Sequence, residues 1–381
     1  MKVIGIIAEY NPFHNGHKYQ IEYIKEKYPD SIIVVCMSSS FTQRGDISIL
    51  NKFDKTKIAM MNGVDLIVEL PYVYTTQSGD IFAKYGVKIL KELKIDMLCF
   101  GTETNNIDEI TNNANIQLKN KKFDPKVKEY LDTGVNYPTA LNNALKDLGG
   151  TCINKPNDLL ALSYVKEIIS NNYKIDLFNI KRTNDYHDLE SNDKIVSASN
   201  IRNKLLNKLD FKKQVSDEVY DILKNKQFNN KYFEYLKYKI ISEDVNSIDK
   251  YLDVDEGLAI RIKNVIDESN SLEELIQNIK TKRYTYNKIS RMLNHILCSY
   301  TVKEKKETNK LEYIRVLGFS VNGQKYLNKI KNDIKVPILN KYDTKTYKAL
   351  EIEKRVTDIY SLIYEDISKE EIKNKPYKNT D

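Results

Sequence analysis

Two histidines three positions apart, His14 and His17, are the residues best placed to do chemistry, and Gly16 between them removes side-chain bulk. They follow directly on the apolar run Val3 to Ala8 and lead into a segment of helical pattern. A helix N-terminus gathers backbone N–H groups and the positive end of the helix dipole, so such a junction favours phosphate. When an acceptor attacks the α-phosphate of a nucleoside triphosphate, negative charge grows on the phosphoryl and pyrophosphate oxygens. Two imidazole donors can stabilise that charge without a covalent intermediate. A second group, Ser197, Ser199 and Arg202, again sets hydroxyls and a cation at a helix start. Other readings of the histidine pair compete. Zinc would need a further ligand, and only His187 and His295 remain besides carboxylates and scattered cysteines, so no metal site is expected. A His–Ser nucleophile lacks a glycine-framed serine elbow. Histidines that merely cap or pack are the remaining alternative.

The elements that must hold these residues alternate between strand and helix. Val3 to Ala8 is short, β-branched and closed by a turn cluster, as a buried strand should be. Lys18 to Lys27 reads as a helix, Ser31 to Met37 as a second strand, Asn51 to Met61 as a helix, and Val64 to Pro71 as a third strand. Gln77 to Lys94 is helical and Ile95 to Phe100 is a fourth strand that runs into Gly101. This order implies an α/β fold with a parallel sheet and right-handed crossovers, whose ligand crevice lies at the carboxyl ends of the strands. Residues 105–150 read as a polar helical insertion, Asn157 and Asp158 as the start of a helix, and Tyr173 to Ile180 as a fifth strand. A helix should follow from about Arg202 to Leu209.

Beyond residue 205 the periodicity is mainly helical, so two domains are expected, 1–205 and 206–381. Gly318 and Gly323 suggest a short hairpin there, and the tail after Lys369 is expected to be mobile. Lys and Arg against Asp and Glu number 25 to 25 through residue 202 and 35 to 28 thereafter, so the whole net charge of +7 sits in the C-terminal part. Between Lys280 and Lys331 there are thirteen basic residues against three acidic ones, interleaved with Tyr284, Tyr286, Tyr300, Tyr313, Phe319 and Tyr326. Cations with exposed aromatics can grip phosphates and stack on unpaired bases, although tyrosines at helical spacing also build cores. The four cysteines, Cys36, Cys99, Cys152 and Cys298, have no metal or redox spacing and are expected to be buried free thiols. No stretch is long and apolar enough to span a membrane, and the expected location is the cytoplasm.

His14-Asn15-Gly16-His17 after a first strand resembles the HxGH signature of the nucleotidylyltransferase superfamily, and Ser197-Ala198-Ser199-Asn200-Ile201-Arg202 resembles its second signature. The likeness narrows with Ala8 to His17, Gln43-Arg44-Gly45, Glu69-Leu70-Pro71, Pro156-Asn157-Asp158, Lys181-Arg182, Lys282-Arg283-Tyr284-Thr285 and Arg315 to Phe319. Together these resemble the bacterial tRNA(Met) cytidine acetate ligase family over nearly the full chain. The resemblance implies a Rossmann-like nucleotidylyltransferase domain followed by a mainly helical, basic C-terminal region. It implies activation of acetate by ATP as acetyl-adenylate, then acetylation of N4 of the wobble cytidine of elongator tRNA(Met).

By the same resemblance His14 and His17 act in catalysis. ATP would be bound by Ile7, Ala8, Glu9, Tyr10, Asn11, Pro12, Phe13, His14, Asn15, Gly16, His17, Lys18 and Gln20, joined by Gly101, Asn157, Arg182, Ser197, Ser199 and Arg202. Mg²⁺ is expected with ATP, and tRNA contact is expected at Lys282 and Arg283. Ser39 departs from the glycine of the family pattern and Phe53 from its tryptophan. A small-molecule adenylyltransferase acting on a phosphorylated cofactor precursor and a noncatalytic RNA-binding protein with a nucleotide-sensing domain are the alternatives. The first would not need an extended cationic surface.

Overall fold

The computed structural model describes all residues except 183–190, 225–230, 256, 282–283, 343–346, 365–369 and 381. Five strands alternate with helices in the first half: β1 (Val3–Ala8), β2 (Ile32–Ser38), β3 (Leu66–Leu70), β4 (Met97–Thr102) and β5 (Asp176–Lys181). They pair in parallel in the order β5-β4-β1-β2-β3. Continuous apolar runs fit this arrangement because parallel strands are covered on both faces. In β2, Ile33, Val34, Val35 and Cys36 are all 0% exposed. Each such side chain contributes roughly 1.5–3 kcal/mol by its burial.

The chain leaves β1 toward β2 and β3 on one side and returns to β4 and β5 on the other. The order therefore reverses at the β1/β4 pair, and the loops leaving the carboxyl ends of those two strands diverge there. That divergence opens the crevice in which open α/β sheets hold ligands. Helix α1 (Asn15–Lys27) starts at this point and buries Ile21 and Ile24 against the sheet.

The expected polar insertion consists of three helices, Ile107–Lys119, Phe123–Asp132 and Tyr137–Asp147, with a small core of its own that includes Phe123, Val127 and Ala144. Beyond residue 205 the chain is largely helical, as its periodicity predicts, but it returns to the sheet. The segment expected as a hairpin is instead a strand followed at once by a helix. Strand β6 (Ile314–Ser320) pairs antiparallel with β3, and the helix Val321–Ile330 follows it. Gly323 is required by close packing, since a Cβ there would stand 1.8 Å from the carbonyl oxygen of Asp65.

The tail is also not free where it is described. Strand β8 (Tyr377–Asn379) pairs with β6 beside the short strand β7 (Ile338–Leu339), and the Asn379 amide donates to the carbonyl of Met60 at 3.3 Å. Glu371 is 0% exposed.

The burial of Glu371 has a clear cause. Lys52, on helix α2 (Lys52–Met61), reaches Glu69 at 2.5 Å, Glu371 at 2.9 Å and Glu353 at 3.0 Å. Arg315 of β6 pairs with Glu371 as well and lies 3.7 Å from Glu69. Two cations thus meet three carboxylates out of water. Burial raises the Glu69 carboxyl, while Lys52 and Arg315 override the same burial at Glu371 and hold it well below the usual carboxylate range. Ser39 donates its hydroxyl to Glu353 at 2.5 Å, which gives the departure from glycine a place in this cluster. Phe53, the other departure, packs half-buried against the main core.

Candidate active site at the β1/β4 crevice

His14 is the N-cap of α1, and its extended backbone (φ −143°, ψ 173°) lets Nδ1 accept from the Gly16 N–H at 3.0 Å. His17, one turn on, returns the contact: its Nδ1 accepts from the His14 N–H at 3.2 Å. Both rings therefore present Nδ1 as acceptor to the backbone, so a neutral ring carries its proton on Nε2. Gly16 is required by space, because a Cβ would stand 2.8 Å from His14 Cε1. Beneath the pair, Tyr10 packs edge-on to His17 with ring centroids 4.8 Å apart, and Phe13 is fully buried beside it. Asn11 fastens the turn by accepting from the Ile49 N–H at 2.8 Å and donating to the Ile47 carbonyl at 3.2 Å.

The electrostatics favour an anion. No acidic residue lies in the first turn of α1, so its dipole is not compensated from within. Burial, then Arg182 and Arg202, pull His14 down to about 3; burial, then His14 and Arg182, hold His17 well below the usual histidine range. The pair is thus two neutral donors flanked by two guanidinium groups. His14, Gly16, His17, Gln20, Gly101 and Arg182 line one pocket of about 80 Å³. Gly101 lies against Arg182, with a virtual Cβ 3.1 Å from its Cγ.

The second motif is brought to the same turn from the other side. Ser197 caps the helix Ala198–Leu206, its hydroxyl accepting from the Asn200 N–H at 3.2 Å. Arg202 donates to the Asn11 carbonyl at 2.8 Å, to Asp46 at 3.0 Å and to the Ser199 hydroxyl at 3.2 Å. Asn15 donates to the carbonyls of Lys213 at 2.8 Å and Lys194 at 2.9 Å, closing α1 onto the segment before the motif.

Not every expected residue reaches the pocket. Asn157 donates to Glu103 at 2.6 Å, within a reciprocal clasp in which Asp158 accepts from the Glu103 N–H at 2.8 Å. That clasp ties the end of β4 to the helix Pro156–Ser170, outside the residues lining the histidine pocket. Nor do Ile7, Ala8, Glu9, Tyr10, Asn11, Pro12, Phe13, Asn15, Lys18, Ser197, Ser199 or Arg202 line that pocket; Arg202 lines a larger cleft of about 810 Å³ instead. Sequence reasoning missed Tyr19, Ile180 and Ile195, which do, and whose only local signal is their nearness to the two motifs. It also missed Lys55, which is fully buried and donates to the carbonyls of Ser39 at 2.7 Å, Ser38 at 2.8 Å and Glu9 at 3.0 Å. No group of three or more potential metal ligands occurs among the described residues.

The HIGH Nucleotidyl Transferase family matches residues 1–375. A tRNA(Met) cytidine acetate ligase of Anoxybacillus flavithermus is 35% identical, covering 99% of this chain and 99% of its own. This chain belongs to the tRNA(Met) cytidine acetate ligase family. The family's Bacillus subtilis member is 34% identical over 96% of this chain and 93% of its own. The ligase fold is shared with crystal structures of Thermotoga maritima TmcAL, apo (TM-score 0.91) and bound with alpha-thio ATP (TM-score 0.87). Each is 24% identical and covers 100% of both chains.

In this member of the ligase family the interleaved aromatics of the basic region are largely core. Tyr300 is 0% exposed and Tyr313 2%, Tyr284 and Tyr326 are also buried, and only Tyr286 and Phe319 are half-buried. Arg315 belongs to the buried ion cluster. The cations that do face solvent there include Lys303, Lys306, Lys310, Lys325, Lys329 and Lys331. Lys282 and Arg283 lie outside the described residues. Cys36, Cys99 and Cys298 are buried free thiols, whereas Cys152 is exposed. No described helix is long and apolar enough to cross a membrane.

Proposed function

We propose that the chain activates acetate with ATP as acetyl-adenylate, releasing pyrophosphate, and then acetylates N4 of the wobble cytidine of elongator tRNA(Met) to give N4-acetylcytidine. The observation that carries the first step is the reciprocally capped, neutral histidine pair between Arg182 and Arg202. An acetate oxygen attacks the α-phosphorus, the bond to the β-phosphate oxygen breaks, and pyrophosphate leaves with the electron pair. The Nε2–H groups of His14 and His17, the N-terminus of α1 and the two arginines offset the charge that grows on the departing oxygens. ATP would bring Mg²⁺ with it, which would be held mainly by phosphate and water and would supply charge neutralisation on the phosphates. Gly16, Gln20 and Gly101, which line the same pocket, and Ser197 and Ser199 beside Arg202 complete the ATP-binding set.

In the second step the cytosine N4 attacks the acetyl carbonyl, AMP leaves, and the amine gives up a proton. An anticodon loop presents that base unstacked at low cost. The names of the full-length relatives support this acceptor. The 1–205 part would carry the chemistry in the cytoplasm, and the exposed lysines of 206–381, with Lys282 and Arg283, would hold the tRNA. Incubation with ATP, labelled acetate and unmodified elongator tRNA(Met) should place label on the wobble cytidine. Label on no tRNA would overturn the proposal. Reversing the charge of Lys282 and Arg283 should weaken tRNA binding and lower its salt dependence while sparing adenylate formation.

A further inference from the structure

Arg202 is already occupied by an acid of the protein's own. Its guanidinium lies 3.0 Å from Asp46 Oδ2, in a pair only 21% and 38% exposed. Asp46 is held there from outside the catalytic loop. It closes a tight turn in which the Thr42 N–H donates to the Asp46 carbonyl at 2.9 Å and the Asp46 N–H donates to the Thr42 hydroxyl at 3.0 Å. The neighbouring Gly45, at φ +96°, turns its carbonyl onto the helix Tyr286–Leu297, where Asn294 donates to it at 2.7 Å and Ser290 at 3.1 Å. A side chain at Gly45 would meet Ser290 Oγ at 2.5 Å, so the loop sits directly on that helix.

Asp46 and Arg202 also stand where two cavities meet. Both residues line the large cleft of about 810 Å³ and a smaller pocket of about 190 Å³ beneath the loop. A carboxylate on an arginine uses the same N–H donors as a phosphate oxygen would. One guanidinium face cannot serve both at full strength.

We infer that Asp46 is a positioning residue, an internal stand-in for the substrate triphosphate that keeps Arg202 aligned and yields its place when ATP arrives, with the 286–297 helix setting how readily it yields. The inference rests on the reading of Arg202 as a phosphate-holding residue. It makes Asp46 a competitor of ATP, so removing its charge should strengthen nucleotide binding, whereas a purely structural role would weaken it.

Calorimetric titration with Mg–ATP tests this on the full chain. Asp46→Asn should bind ATP at least about threefold more tightly than wild type, the scale of one partly exposed ion pair. Asp46→Glu should stay near wild type. Ser290→Ala with Asn294→Ala, which loosens the loop without touching the pair, should shift affinity in the same sense as Asp46→Asn. Asp80→Asn is the control for general charge, since Asp80 lines the same cleft but is 70% exposed and 3.8 Å from Lys166; it should change nothing. Asp46→Asn binding ATP no tighter than wild type, an equal gain in Asp80→Asn, or a gain for acetate in place of ATP would overturn the inference. Wild type that binds no ATP would overturn the underlying reading with it, a result distinct from the others.

Discussion

His14 and His17 hold each other in place: their rings stack with centroids 3.8 Å apart and 27° between planes, His14 Nδ1 accepts from the Gly16 N–H of the first turn, and His17 Nδ1 accepts from the N–H of the His14 cap. One arrangement thereby satisfies the helix end, fixes both tautomers and leaves Nε2–H as the donor of each ring. A serine–glutamate capping box would satisfy the same backbone groups but would add a negative charge where phosphate is to bind.

Gly16→Ala should separate fold from function. Alanine suits a helix better than glycine by about 1 kcal/mol, which offsets the loss of the His14 cap on a similar scale, so the melting temperature should change little. Its Cβ would press on His14 Cε1, 2.8 Å away, and turn the ring. Pyrophosphate release should fall at least about tenfold, the scale on which misplaced groups lose catalysis. Unchanged turnover, measured beside thermal melting, would show that the ring position does not matter.

The rate of pyrophosphate release should show no histidine inflection between about pH 6 and 8, because the pair stays neutral throughout that range. Stability behaves differently. Unfolded His14 takes up its proton near ~6.5 and folded His14 only near about 3, so the unfolded state binds more protons between these values. The contribution is complete above ~6.5 and is lost as pH falls toward about 3. His14→Asn should flatten the slope of unfolding free energy in that window by up to about 1.4 kcal/mol per pH unit. Equal slopes in denaturant titrations of the two proteins would contradict this.

The buried ion cluster should make the C-terminal tail part of the fold. Lys52→Met leaves three carboxylates facing one guanidinium and should cost about 3–5 kcal/mol in urea unfolding. Ending the chain at Lys369 removes Glu371 and strand β8 and should destabilise on the same scale. Ser39→Gly, which loses one hydrogen bond to Glu353, should cost only about 1 kcal/mol. A tail deletion without effect would mean that Lys52 and Arg315 do not depend on Glu371.

The five parallel strands and the histidine turn were legible because their causes are local. Buried parallel strands need unbroken apolar runs such as Ile32 to Met37, and a helix start needs its cap beside it. Strand β6 was not legible: Arg315 and Gly318 interrupt its apolar run, and the partner that lets Arg315 be buried, Glu371, lies 56 residues on. A greater separation hid the pairing of Arg202 with Asp46, 156 residues apart. The basic region's tyrosines carried a pattern that suits both a core and a base-stacking surface, and burial resolved Tyr300 and Tyr313 to the core.

A histidine turn that adenylates acetate must support ATP–pyrophosphate exchange without tRNA, a claim that one assay with labelled pyrophosphate decides. Wild type should exchange label only when acetate is present. His14→Asn, which keeps a capping side chain while removing the imidazole donor, should fold as wild type does yet exchange at least about a hundredfold more slowly. Exchange that is independent of acetate, or that survives intact in folded His14→Asn, would contradict the claim.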